Sequence, residues 1–107
     1  MKIQFLERNT KFYIGEIIKH KLFNYSGVIY SVDPEYMGSE DWYNDMAKTR
    51  PLKNQPWYHV LPSGCTHSAY VAESNLFTHP RPTTIEHPMI KEMFARFENA
   101  RYYKIAN

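Results

Sequence analysis

Between Gly15 and Lys21 the chain alternates, with Glu16, Ile18 and His20 on one side and Ile17, Lys19 and Lys21 on the other. A period of two is the strand signature, because successive side chains of a pleated chain point to opposite faces. Asn24, Ser26 and Gly27 then form a turn-making set. Gly27–Val32 follows, almost wholly β-branched or aromatic, and Asp33-Pro34 stops it, since proline offers no ladder donor. These two strands read as a hairpin with a long turn.

From Glu35 to Gln55 the strand pattern lapses. Ser39 is placed to cap a short helix through residues 41–48, with acids early and a base late, as the helix dipole prefers. Trp57–Leu61 and Ser68–Ala72 read as a second hairpin around Pro62-Ser63-Gly64. Glu73–Phe77 reads as a helical turn or a short final strand, and 78–86 as an extended linker. Met89, Ile90, Met93, Phe94 and Phe97 then recur at helical spacing behind Pro88, with Glu92 and Arg96 an i,i+4 pair opposite, which predicts a C-terminal helix over about 87–99. The expected core is Ile18, Val28, Tyr30, Val32, Val60 and Val71, with Met93, Phe94 and Phe97 packing the helix onto it. The whole is a single mainly β domain, a small curled antiparallel sheet or barrel over about 12–77 with a short loop helix and a terminal helix.

Composition sharpens this picture. In 107 residues, 16% are aromatic, and rings stiffen a thin β core because each buries a large area. A chain of this size holds one modest core and no deep catalytic cavity. No apolar run reaches the ~18 residues of a membrane span, and Met1–Arg8 lacks the apolar stretch of a signal peptide. With Cys65 as its only cysteine the chain forms no internal disulfide, so a reducing cytoplasm is the expected setting.

Net charge is +2, unevenly placed. Lys2, Arg8, Lys11, Lys19 and Lys21 enrich the opening, whereas Asp33, Glu35, Glu40, Asp41 and Asp45 follow without a base. Such a patchwork differs from the broad basic field of a strong duplex binder.

Candidate chemistry is sparse. His59, Cys65, His67, His79 and His87 match no zinc spacing, and Cys65 has no recognisable base-and-orienter partner set. Neither a phosphate-cradling glycine motif nor a metalloprotease motif occurs. The expectation is therefore no catalytic residue, no metal and no cofactor. Two readings of Tyr36, Trp42 and Tyr43 stand side by side: plugs of the sheet end, or anchors of a protein-docking site rimmed by Glu40 and Asp41.

Four blocks of sequence, in order, resemble one family. They are Ile14–Phe23 with Gly27–Tyr36; Glu40–Tyr43 with Arg50–Leu61; Ala69–Leu76; and His87–Phe94 with Arg101-Tyr102. Together they resemble the heat-shock protein HspQ family, also called the YccV-like or hemimethylated-DNA-binding family. Ser31 stands where that family often has an acid, and Ala100 where a glycine often precedes the Arg-Tyr pair. The resemblance implies a small SH3-like β-barrel without enzymatic activity. It also implies two roles: binding hemimethylated duplex DNA with effects on the replication initiator, and acting as a specificity factor for an ATP-dependent protease and its substrates.

For the DNA role, Lys19, Lys21, Arg50 and Lys53 are the expected phosphate contacts, and an apolar side chain would distinguish the adenine N6-methyl in the major groove. For the protein role, Glu40, Asp41, Trp42 and Tyr43 form the expected docking site. A homo-oligomer is compatible with either role, and no membrane partner is expected.

Overall fold

A computed structural model describes residues 10–106. The Met1–Arg8 segment read above for a signal peptide lies outside the described residues. The elements run β1 (Ile17–His20), β2 (Ser26–Asp33), α1 (Glu40–Met46), β3 (Trp57–Pro62), β4 (Ala69–Ala72), a 3₁₀ turn (Glu73–Asn75), β5 (Leu76–Thr78), α2 (Ile90–Met93), β6 (Phe94–Glu98) and β7 (Arg101–Lys104). The first five strands form one antiparallel sheet in the order β4-β3-β2-β1-β5, and β6 and β7 form a separate hairpin. Both readings of residues 73–77 hold in turn: a helical turn, then a strand that pairs back onto β1.

The sheet does not close into a barrel. Between the β1–β2 turn and β4 lies a groove of about 280 Å³, lined by side chains such as Phe23, Tyr25, Trp42 and Met46. Rings and a thioether, rather than a backbone ladder, therefore flank the free side of β4.

Each face of the sheet buries its own cluster. All five strands contribute to one, through Ile18, Ile29, Tyr58, Val60, Val71 and Leu76, with Phe12 packed in from the preceding loop. The Tyr58 hydroxyl inside it accepts from the Phe12 N–H at 3.3 Å and donates to Glu73 at 2.6 Å. The opposite face buries Ile17, Val28 and Leu61 under Ile85, Phe94 and Tyr102. Alternation explains the division, since Ile17 and Ile18 point to opposite sides of one strand. Of the expected core, Ile18, Val28, Val60, Val71 and Phe94 are buried. Tyr30 and Val32 are half-buried instead, and so are Met93 and Phe97. Tyr30 sits at the bulge between Ile29 and Ser31, so it leaves the ladder and packs against the margin of the second cluster.

The C-terminal helix is the principal correction. Only Ile90–Met93 is helical; the rest of the stretch is the β6–β7 hairpin. Phe94 and Phe97, three apart, would face opposite ways on a regular strand. A bulge between Phe94 and Arg96 adds the residue that turns both inward, so a strand bulge wrote a helical period into the sequence. Glu92 and Arg96 do not pair; Arg96 Nε donates to Glu98 at 2.8 Å. Asn99 and Ala100 form the hairpin tip with φ of 56° and 64°, the left-handed pair a tight primed turn requires. The 78–86 linker is pinned down as well, because Ile85 is buried and its N–H donates to the Tyr102 hydroxyl at 2.9 Å.

Left-handed backbone costs an L-residue roughly 1–2 kcal/mol, and glycine escapes most of that. We expect Ala100→Gly to stabilise the protein by about 1 kcal/mol, with a Tm several degrees higher in a thermal melt. An unchanged or lower Tm would contradict the turn assigned here.

Candidate functional site

One end of the sheet carries the acidic, aromatic segment. Ser39 caps α1, its hydroxyl accepting from the Trp42 N–H at 3.0 Å, while Glu40 and Asp41 occupy the first turn. No base lies within the last helical turn. Arg50 supplies the missing charge from outside, donating to the carbonyls of Ala47 at 2.7 Å and Tyr43 at 3.4 Å.

Trp42 and Tyr43 are half-buried and pack back toward Trp57. Ring centroids there lie 4.9 Å apart for Tyr36–Trp57, 5.3 Å for Trp57–Tyr70, 5.6 Å for Trp42–Tyr70 and 5.5 Å for Tyr36–Tyr43. The inward sides of these rings are therefore structural, attaching α1 to the sheet. Glu40 and Asp41 remain exposed.

Beside this cluster, α1 and the outer face of β3 and β4 enclose a groove of about 310 Å³. At its base Asp33 Oδ2 accepts from the Tyr70 hydroxyl at 2.6 Å and lies 3.2 Å from His59 Nε2. The Tyr70 hydroxyl in turn accepts from the Met37 N–H at 3.1 Å. Burial, and then the bond to Asp33, push the Tyr70 phenol well above its ordinary pKa, so it stays a donor throughout the working range.

The four expected DNA contacts come from two segments: Lys19 and Lys21 in and just after β1, and Arg50 and Lys53 in the loop after α1. Lys53 pairs with Glu40 and sits 4.4 Å from the centroid of the Tyr43 ring, so it and Arg50 are engaged in holding the α1 region. Lys19 and Lys21 make no ion pair among the described residues. Lys19 lies opposite Ser26 and Phe77, while the Lys21 N–H is bonded to the carbonyl of Asn75. Being two residues from Ile17, Lys19 points to the sheet face that the β6–β7 hairpin covers.

That hairpin presents cationic residues absent from the sequence-based set. On its outer side exposed Arg96 has its Cζ 4.3 Å from the Tyr103 ring centroid, while half-buried Arg101 has its Cζ 4.1 Å from Tyr13 and 5.0 Å from Tyr103 and donates to the Ile14 carbonyl at 3.3 Å. The signal was present: Asn99-Ala100 stands between two runs that alternate once the bulge is allowed.

Residues 10–101 match the YccV-like family, described as hemimethylated DNA-binding protein YccV like. The chain belongs to this family. The match spans the sheet, α1 and the hairpin as far as Arg101. The family is one of DNA-binding domains, not of enzymes.

His20 gives the sheet a pH dependence. It is buried, and its Nδ1 accepts from the N–H groups of Leu22 and Phe23, both at 3.1 Å, which requires the neutral ring. Burial lowers its pKa below 6.5. The unfolded chain then binds the proton more readily, so this contribution is complete above about pH 6.5 and is lost as pH falls toward the depressed folded value. Thermal melts from pH 7 to 5.5 should show a falling Tm, and His20→Asn should flatten that slope; equal slopes would remove His20 as its source.

Proposed function

We propose that this protein is a non-enzymatic cytoplasmic binder of hemimethylated duplex DNA, acting through the face formed by Lys19 and the β6–β7 hairpin. Family membership supports the ligand class. The observation that bears on the choice of face is the outer side of the two-stranded ribbon, where exposed Arg96 stands beside Tyr103 and Glu98 while Arg101 stacks on Tyr13 and donates to the Ile14 carbonyl. A major groove is about 12 Å wide and accepts a two-stranded ribbon, and the adenine N6-methyl projects into that groove. Arginine and tyrosine side chains offer base edges both donors and apolar contact. Lys19 and Lys21 supply phosphate contacts that set position without reading sequence. Arg50 and Lys53, already engaged around α1, contribute a weaker field. Effects on replication-initiator levels would follow from occupancy of such sites.

A second reading is favoured by the segregation of charge. Glu40 and Asp41 are exposed over an aromatic cluster, a surface that repels phosphate and suits a protein partner. On this reading the same molecule is a specificity-enhancing adaptor for an ATP-dependent protease, docking through Glu40, Asp41 and the outward edges of Trp42 and Tyr43.

Replacing Lys19 and Lys21 together by Ala should weaken methylated, hemimethylated and unmethylated duplexes alike. It should also make the slope of log K against log salt shallower by roughly two, at about 0.9 per phosphate. Arg96→Ala with Arg101→Ala should instead reduce the preference for the hemimethylated duplex. Titrations by fluorescence anisotropy at several salt concentrations separate these effects. Retained affinity and preference in both variants would move the interface elsewhere.

A further inference from the structure

The groove beside α1 is shaped for something other than DNA. We propose that it takes an arginine side chain from a basic segment of a partner protein, with Asp33 as the anchoring carboxylate. The inference rests on the docking reading of the acidic end and is independent of the DNA reading.

Asp33 closes β2 and is half-buried, its side chain 24% exposed. Both of its protein partners, Tyr70 and His59, reach the same oxygen, Oδ2. Among the described residues Oδ1 accepts from none, so a carboxylate partly removed from water keeps one oxygen for a donor from outside. The hydroxyl of Tyr70, held by the Met37 N–H, fixes the orientation of that carboxylate before any ligand arrives.

The walls have matching chemistry. Trp42, Tyr70 and His59 line the groove, and among the described residues no Lys or Arg does. A guanidinium is planar and weakly hydrated; it stacks on aromatic faces while donating through its edge to a carboxylate. An ammonium is compact and more strongly hydrated, and gains less from such walls. Flanking the lining residues in sequence, Glu35 and Asp41 are exposed and make no ion pair among the described residues, while Glu40 and Lys53 offset each other. This field draws a basic segment in and opposes a phosphate backbone. A groove of about 310 Å³, open to solvent, has room for the guanidinium and its alkyl stem.

The test is a two-dimensional NMR titration of the full chain with acetylated, amidated Gly-Ala-Arg-Ala-Gly, alongside peptides carrying Lys or citrulline in place of Arg. Citrulline keeps the shape and loses the charge. Saturable shifts at the Trp42 indole N–H and the backbone N–H of Tyr70 are expected for Arg, with at least tenfold weaker binding for citrulline and weaker binding for Lys. Asp33→Asn keeps an oxygen for the Tyr70 hydroxyl and should weaken the Arg peptide at least tenfold. Met37→Lys, at an exposed position in the groove's own lining, should do the same with Tm unchanged. Equal binding of Arg and citrulline, or unchanged binding by Asp33→Asn, would overturn the proposal. If Glu40→Gln with Asp41→Asn weakens the Arg peptide while Asp33→Asn does not, the docking surface stands and the slot is wrong. Absence of binding by the wild type to Arg and Lys peptides alike would remove both. Displacement of the Arg peptide by a hemimethylated duplex would assign the groove to nucleic acid and overturn the proposal.

Discussion

At Gly15 two stretches of backbone meet more closely than any side chain allows. Its N–H donates to the carbonyl of Ile29 at 2.8 Å, and its own carbonyl accepts from the Tyr102 N–H at 2.9 Å. A Cβ built there would stand 2.0 Å from the Tyr102 carbonyl oxygen, and φ is +94°. Glycine meets both demands, steric and conformational. This crossing clasps the C-terminal hairpin to the entry of β1, 87 residues away in sequence, together with the Arg101 bond to the Ile14 carbonyl. Both links hold the hairpin where Phe94 and Tyr102 cover Ile17, Val28 and Leu61.

The outer face of the sheet thus has two covers. The hairpin closes one end with Phe94, Phe97 and Tyr102 turned in and Arg96 turned out. At the other end α1 and its loop bring Tyr36, Trp42 and Tyr43 onto Trp57, with carboxylates turned out. Because β3 alternates, Trp57, His59 and Leu61 share this face, and His59 with Tyr70 lies in the uncovered interval between the two lids. A small net charge therefore conceals a divided surface. Exposed acids gather at α1, while Arg96 stands on the outer side of the hairpin.

Buried polar groups tie the loops to this frame. Glu16 is buried with both oxygens engaged, by the Tyr13 N–H at 3.1 Å and the Thr78 hydroxyl at 2.8 Å. Tyr58 and Glu73 do the same for the segment before β1. Removing one partner of such a set strands the other, at a cost of about 1–3 kcal/mol.

Local chemistry was enough to read β1 to β4, the Ser39 cap and the proline stops, because each depends on neighbours within a few residues. Family resemblance was legible for the same reason, being carried by short blocks in order. The C-terminal segment was not, since a bulge converts strand alternation into helical spacing, and only the packing of Phe94 and Phe97 against Ile17 and Leu61 selects between them. Nor could charge along the chain tell that Arg50, Lys53 and Arg101 are spent on carbonyls and a carboxylate of the fold while Arg96 stays exposed on a ribbon. That Asp33 Oδ1 has no partner among the described residues is another such fact, produced by residues 26 and 37 positions away that converge on Oδ2. Sequence alone determined the elements whose signals are local. Tertiary structure decided which side chains are consumed in holding those elements together and which are left for a partner, because that depends on contacts between residues distant in the chain.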